Sequence, residues 1–123
     1  RGAVTPHTLK FHRKLEGNLQ NVFNELAKDE NFYVKEIGTY SYRRVVGNPN
    51  RLSNHSYGIA IDVNPQCNPY IKNGKVLGGH NVYDQDLSMR DSSNKVVKTF
   101  AKYGFGWGGS YKDYMHFSYF DGR

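Results

Sequence analysis

A chain of 123 residues is long enough to bury one real core and too short for two comfortable ones. Its 37% hydrophobic and 15% aromatic residues make a globular composition, which excludes a disordered tail, and its one cysteine, Cys67, excludes an intramolecular disulfide and a C-x-x-C metal knuckle. The formal charge of +6, with a pI near 9.4, suits polyanionic surroundings such as nucleic acid, anionic lipid or an anionic cell wall, without choosing among them.

No apolar run approaches the ~20 residues that span a bilayer, and no basic start leads into an apolar signal segment. Opening on Arg1 and not on methionine, the chain reads as trimmed, which leaves a lost signal or anchor open. Without an internal repeat, a low-complexity tract or a Pro/Ser-rich linker, residues 1–123 are expected to form one domain.

In chain order, Thr5-Pro6 punctuates the entry to a helix predicted from Thr8 to Lys28, where Leu15, Leu19, Val22, Phe23 and Leu26 fall on one face. Phe32 to Tyr42 reads as a β segment, from Tyr33, Val34, Ile37, Tyr40 and Tyr42. Gly47-Asn48-Pro49-Asn50 reads as a turn, and Gly58 to Val63 as a buried strand ended by Asn64-Pro65. From Gln66 to Met89 the composition is rich in Asn, Gly and Asp without a clear period, predicting a long loop with short strand pieces, a common form for a binding element. A second helix follows, capped by Asp91 or Ser92, with Val96, Val97, Phe100 and Ala101 inside and Gly104 as its stop. From Trp107-Gly108-Gly109 to Phe120 the pattern is loop, then strand. Helices before and after strands predict an α+β fold.

Of the five histidines, His7 and His12 read as solvated, and His80, in Gly78-Gly79-His80, as a loop residue. His55 and His116 each travel with a carboxylate: Asp62 follows His55 within Ser53-Asn54-His55-Ser56-Tyr57-Gly58-Ile59-Ala60-Ile61-Asp62, and Asp113 precedes His116. A catalytic zinc wants three protein ligands and an open position, and His55, Asp62 and His116 meet that count with N and O donors. In a strand, Asp62 shares a face with the small residues Gly58 and Ala60, which leaves room for an ion. Asp113 is then placed to take a proton from water without binding the metal. The competing reading is two core histidines held by local hydrogen bonds.

Ser53-x-His55-x-x-Gly58-x-Ala60-x-Asp62, followed by Trp107-Gly108-Gly109 and Asp113-x-x-His116-Phe117, resembles the zinc peptidases of bacterial peptidoglycan. These are the D-alanyl-D-alanine carboxypeptidase and L-alanyl-D-glutamate peptidase group, whose fold is shared with the hedgehog signalling domain. The resemblance covers residues 40–120 and implies a small antiparallel sheet flanked by helices. It implies His55, Asp62 and His116 as ligands of one zinc per chain and Asp113 as the catalytic carboxylate. An aspartate at that place, where many dipeptidase members keep glutamate, is more like the endopeptidase branch. Tyr42-Arg43-Arg44 matches the place of an arginine that steadies substrate charge or the oxyanion, Arg43 being the preferred candidate and Arg44 the other. Ser53 either hydrogen-bonds substrate or caps the chain locally, and Trp107 is expected to pack beneath the site.

The implied activity is zinc-assisted hydrolysis of a peptide bond in peptidoglycan stem peptides, with Asp113 taking a proton from the attacking water and returning it to the departing amine. The expected setting is extracytoplasmic or wall-associated, in a host enzyme or a phage lysin, and the expected state a monomer with no transmembrane segment. Two rivals remain. One is a non-catalytic zinc-binding module of the same fold, against which the retained Asp113 argues. The other is a basic domain binding nucleic acid or wall, for which no aromatic RNA-binding string, zinc-finger spacing or basic helix is present.

Overall fold

Two stretches with helical periodicity become helices because each has one apolar stripe to hide. In this computed structural model, which describes residues 12–38, 44–45, 48–52 and 59–119 (44–45 and 48–52 by backbone alone), a 3-10 turn at Arg13–Leu15 leads into α1, Glu16–Leu26. Leu15, Leu19, Val22 and Leu26 are buried along its inner side. The expected start at Thr8 lies outside the described residues. The second helix, α2, runs Lys95–Lys102 and is capped by Asn94, whose side-chain oxygen accepts from Val96 N at 2.8 Å and Val97 N at 3.4 Å. Asp91, an expected cap, instead accepts from Ser93 N one turn earlier. Val96, Val97 and Phe100 face inward as expected, but Ala101 is exposed and Thr99 takes the remaining buried position. Gly104, at φ +94°, ends the helix where it was expected to end.

The main sheet is antiparallel, with strands β1 (Ile37–Gly38), β4 (Ala60–Val63), β8 (His116–Tyr119) and β7 (Phe105–Trp107) side by side in that order. Registers Ile37↔Val63, Ile61↔Phe117, Trp107↔Phe117 and Phe105↔Tyr119 put apolar side chains on one face. The helices cover that face: Phe100 stacks on Phe117 with ring centroids 3.9 Å apart, and meets Phe23 of α1 and Phe105 edge-on. The ion pair Lys102–Glu25 (2.7 Å) ties the two helices at the rim, and Lys95–Asp29 (3.0 Å) ties α2 to the turn after α1. A strand at Phe105–Trp107 was not foreseen, because its short sequence merges with the Gly-rich turn that follows it.

The expected β segment at Phe32–Tyr42 shrinks to Ile37–Gly38 within the described residues; 39–43 lie outside them. Upstream of that strand, the backbone is held by a side chain in place of a partner strand. The buried Asn64, at φ +49°, accepts from Lys35 N (2.7 Å) and Glu36 N (3.2 Å) through Oδ1 and donates from Nδ2 to Tyr33 O (3.0 Å). Asn64 also stops β4, as expected of Asn64-Pro65. The expected turn at Gly47–Asn50 is corrected in part: Asn48-Pro49-Asn50 belongs to strand β3 (Asn48–Leu52), paired with β2 (Arg44–Val45) in a two-stranded ribbon. Proline is tolerated there because a ribbon of two strands is all edge.

The 66–89 segment carries a second ribbon, β5 (Tyr70–Lys72) and β6 (Lys75–Gly78), turned by Asn73 (φ +53°) and Gly74 (φ +76°). Consecutive positive φ values mark the tight hairpin turn that Asn-Gly favours. The rest of the segment is pinned by the fully buried Asn68, which donates to Asn64 O and Leu87 O and accepts from Met89 N at 2.6 Å. Arg90 completes the clamp, donating to Asn68 Oδ1, Met89 O and Cys67 O.

Candidate active site

The sheet's other face is built from small and polar residues. Across β4 and β8, Ala60 pairs with Ser118 and Asp62 with His116; Gly38 lies opposite Asp62 and Gly106 opposite Ser118. Directly opposed residues of an antiparallel pair project to the same side, so this register alone places an imidazole beside a carboxylate. His116 Nδ1 and Asp62 Oδ1 are 3.3 Å apart, with side chains 5% and 16% exposed. Gly38, Ala60, Gly106 and Ser118 flank the pair with little side-chain bulk, and an imidazole with a carboxylate oxygen supplies donors suited to zinc.

Asp113 lies on the turn that leads into β8. Trp107 closes β7, and Gly108–Tyr111 form a 3-10 turn that brings the backbone back to Gly108, where Asp113 N donates to Gly108 O at 2.9 Å. The two glycines of Trp107-Gly108-Gly109 are required by space. A side chain on Gly108 would meet Asp113 O at 2.7 Å, and one on Gly109 would run into the Trp107 ring. Lys112, at φ +62°, reverses the chain, and His116 N then donates to Asp113 O at 3.2 Å. Trp107 packs against the core and donates from Nε1 to Tyr114 O at 2.9 Å, so it supports the turn from beneath.

Of the residues singled out in the sequence, Asp62 and His116 are thus brought into contact and Asp113 sits on the turn that delivers His116. Arg43, Ser53 and His55 lie outside the described residues, as does His7; Arg44 lies on β2, its side chain not described. Among the described residues no group of three or more metal-donor side chains forms, so the observed set is the pair Asp62–His116. His12 is exposed, as expected of a solvated histidine, and His80 lies in a loop, as expected, and is exposed.

Tyr70 was not singled out in the sequence. It forms an isolated antiparallel bridge with Asp113, flanked by Ile71 N→Lys112 O (2.9 Å) and Tyr114 N→Pro69 O (3.1 Å). Burial, and then the nearby Asp113 carboxylate, push the Tyr70 phenol above its usual pKa. Asn73-Gly74 between Tyr70-Ile71 and Val76-Leu77 was the readable signal for this hairpin. That its first strand docks on Asp113 is a tertiary fact no local pattern carries.

No helix among the described residues is long and apolar enough to cross a membrane. Comparison with curated proteins returns no match. A family model described as D-alanyl-D-alanine carboxypeptidase matches residues 47–119, more than half of the chain and the stretch that holds Asp62, Asp113 and His116. The fold, the paired Asp62 and His116 and this match agree: the chain belongs to the D-alanyl-D-alanine carboxypeptidase family.

Proposed function

We propose that the protein is a zinc peptidase that hydrolyses a peptide bond in the stem peptides of bacterial peptidoglycan, of D-Ala-D-Ala carboxypeptidase or L-Ala-D-Glu endopeptidase type. The observation that supports this most is the register Asp62↔His116 on the small-residue face, with Asp113 on the adjoining turn. Asp62 and His116, with His55 as third ligand, would hold one zinc ion per chain. When bound, zinc supplies Lewis-acid polarisation of the scissile carbonyl and a nucleophilic water at neutral pH.

The chain's own side chains do the rest. Asp113, surplus to the ligand count, takes the proton of the attacking water and returns it to the departing amine. Arg43, adjoining Arg44 in sequence, supplies the cation that steadies the oxyanion, and Ser53 hydrogen-bonds substrate; both roles rest on the sequence motif. The basic surface suits an anionic wall polymer. In this reading residues 1–123 act as one monomeric domain at the wall outside the cytoplasm, a setting common to host remodelling enzymes and phage lysins.

Mass spectrometry of purified peptidoglycan after digestion tests the reading. Zinc-loaded protein should release terminal D-alanine or split stem peptides at one bond, and chelation should abolish both. Intact muropeptides after incubation with protein shown to hold zinc would refute it.

A further inference from the structure

Both bonds named above share a feature of the leaving side. The amine that departs sits on a carbon that also bears a carboxylate, the terminal carboxylate of D-alanine or the α-carboxylate of γ-linked D-glutamate. A group that protonates this amine therefore works within a few ångströms of a substrate anion, and Asp113 is itself negative. Something nearby must receive that anion without adding charge to the proton donor.

The ribbon β5–β6 offers such a group. Tyr70 pairs with Gly78 on one side and bridges Asp113 on the other, so Gly78, Tyr70 and Asp113 stand in a row across three chain segments. Opposed residues of antiparallel pairs share a side, which sets the phenol on the side of the Asp113 carboxylate. Gly78 has no side chain to cover the ring, and Tyr70 stays partly exposed. The ribbon is firmly seated: Ile71 N donates to Lys112 O, Tyr114 N to Pro69 O, and Met115 Cε lies 3.8 Å from where a Gly78 side chain would begin. Among the described residues the Tyr70 hydroxyl has no hydrogen bond. A phenol is the right donor for this position, since it is neutral and gives one strong O–H to a carboxylate.

We propose that Tyr70 is a substrate-binding residue that donates its hydroxyl to the carboxylate of the leaving residue, and so helps set the preference for stem-peptide bonds followed by such a carboxylate. The inference rests on the peptidase reading above. The raised pKa of the phenol keeps the proton on oxygen throughout the neutral range, as a donor requires.

Tyr70→Phe removes the hydroxyl alone. It is tested on zinc-loaded protein with two peptides, L-Ala-γ-D-Glu-L-Lys-D-Ala-D-Ala as free acid and the same peptide with both free α-carboxyl groups as carboxamides. On the free acid KM should rise about tenfold to a hundredfold, the worth of a hydrogen bond to a charged group, with kcat within about threefold. On the carboxamide, wild type and variant should agree within about twofold. Calorimetric titration of the metal-free proteins with the free acid should show the same weakening in binding, independent of turnover. Equal losses on both peptides would mean the ring only packs, and no loss on either would mean the hydroxyl touches nothing; each overturns the inference while wild-type cleavage keeps the peptidase reading intact. Wild-type protein that holds zinc yet cleaves neither peptide nor purified peptidoglycan overturns both. Tyr70→Leu, which keeps bulk without the ring, should match Tyr70→Phe in discriminating between the peptides.

Discussion

The two faces of the four-stranded sheet are made from the same strands and alternate residue by residue, yet they do opposite things. One face presents Ile37, Ile61, Val63, Phe105, Phe117 and Tyr119 to the helices; the other presents Gly38, Ala60, Asp62, Gly106, His116 and Ser118. The apolar face supplies the burial that holds the strands in register, and the register is what sets Asp62 opposite His116. A slip of one residue would turn the carboxylate into the aromatic core and Ile61 toward the site. Precision in the chemistry is thus a by-product of packing on the far side, which is why sites on sheet scaffolds can be exact without being large.

If that division is real, substitutions on the two faces should fail differently. The largest effect is expected from His116→Ala, which removes one of two described donors: zinc content should fall with activity, the latter by at least about 10³, as the several kcal/mol of metal catalysis disappear. Asp113→Asn sharpens the contrast, since it should keep zinc, measured by metal analysis, while turnover drops about 10²–10⁴. Zinc lost from Asp113→Asn but retained by His116→Ala would exchange the two roles. In α2, against the apolar face, Phe100→Ala should cost about 3–5 kcal/mol of folding stability in denaturant titration, because its ring contacts Phe23, Phe105 and Phe117 at once. The zinc-loaded folded fraction should still turn over near the wild-type rate; a proportionate loss of kcat would show that the faces are not separable.

The smallest effect lies at the helix rim. The Lys102 ammonium, by hydrogen bond, holds the Glu25 carboxyl below its usual pKa, and Tyr103 adds a second donor. A carboxyl with a depressed folded pKa contributes stability above its unfolded pKa and loses it as pH falls through the folded value. Glu25→Gln should therefore melt slightly below wild type at neutral pH and converge with it below about pH 4. A constant gap across that range would assign the effect to packing.

Much of this division was legible in the sequence, and the failures share a cause. The alternation in Ala60–Val63, the stripe of Leu15, Leu19, Val22 and Leu26, and the glycine after α2 are local patterns, so they survive without tertiary knowledge. The segment from Phe32 looked like a strand because its residues are β-prone; the amide of Asn64, about thirty residues away, holds its backbone instead. Asn94 displaced Asp91 as a cap because α2 begins only at Lys95, where packing of Val96 and Val97 sets the first turn. Asp62 and His116, which the register brings together, and Asp113 on the adjoining turn were readable as motif spacing. Tyr70 was not, since its place depends on which loop the β5–β6 ribbon docks against. Why Trp107 is followed by two glycines was likewise invisible until the turn showed both Cβ positions occupied.

The sole thiol has a practical consequence. Cys67 is 3% exposed, its Sγ lies 3.6 Å from Asn64 O, and burial pushes its pKa above the usual thiol value. Thiolate is the nucleophile that attacks maleimides and peroxide, so in the folded protein this sulfur reacts poorly with either. A cysteine installed beside the exposed hairpin turn, at Lys75, would accordingly be labelled against a silent background. A fluorophore there would sit on the same ribbon as Tyr70, so a change in its emission on adding the peptide would report binding at that ribbon.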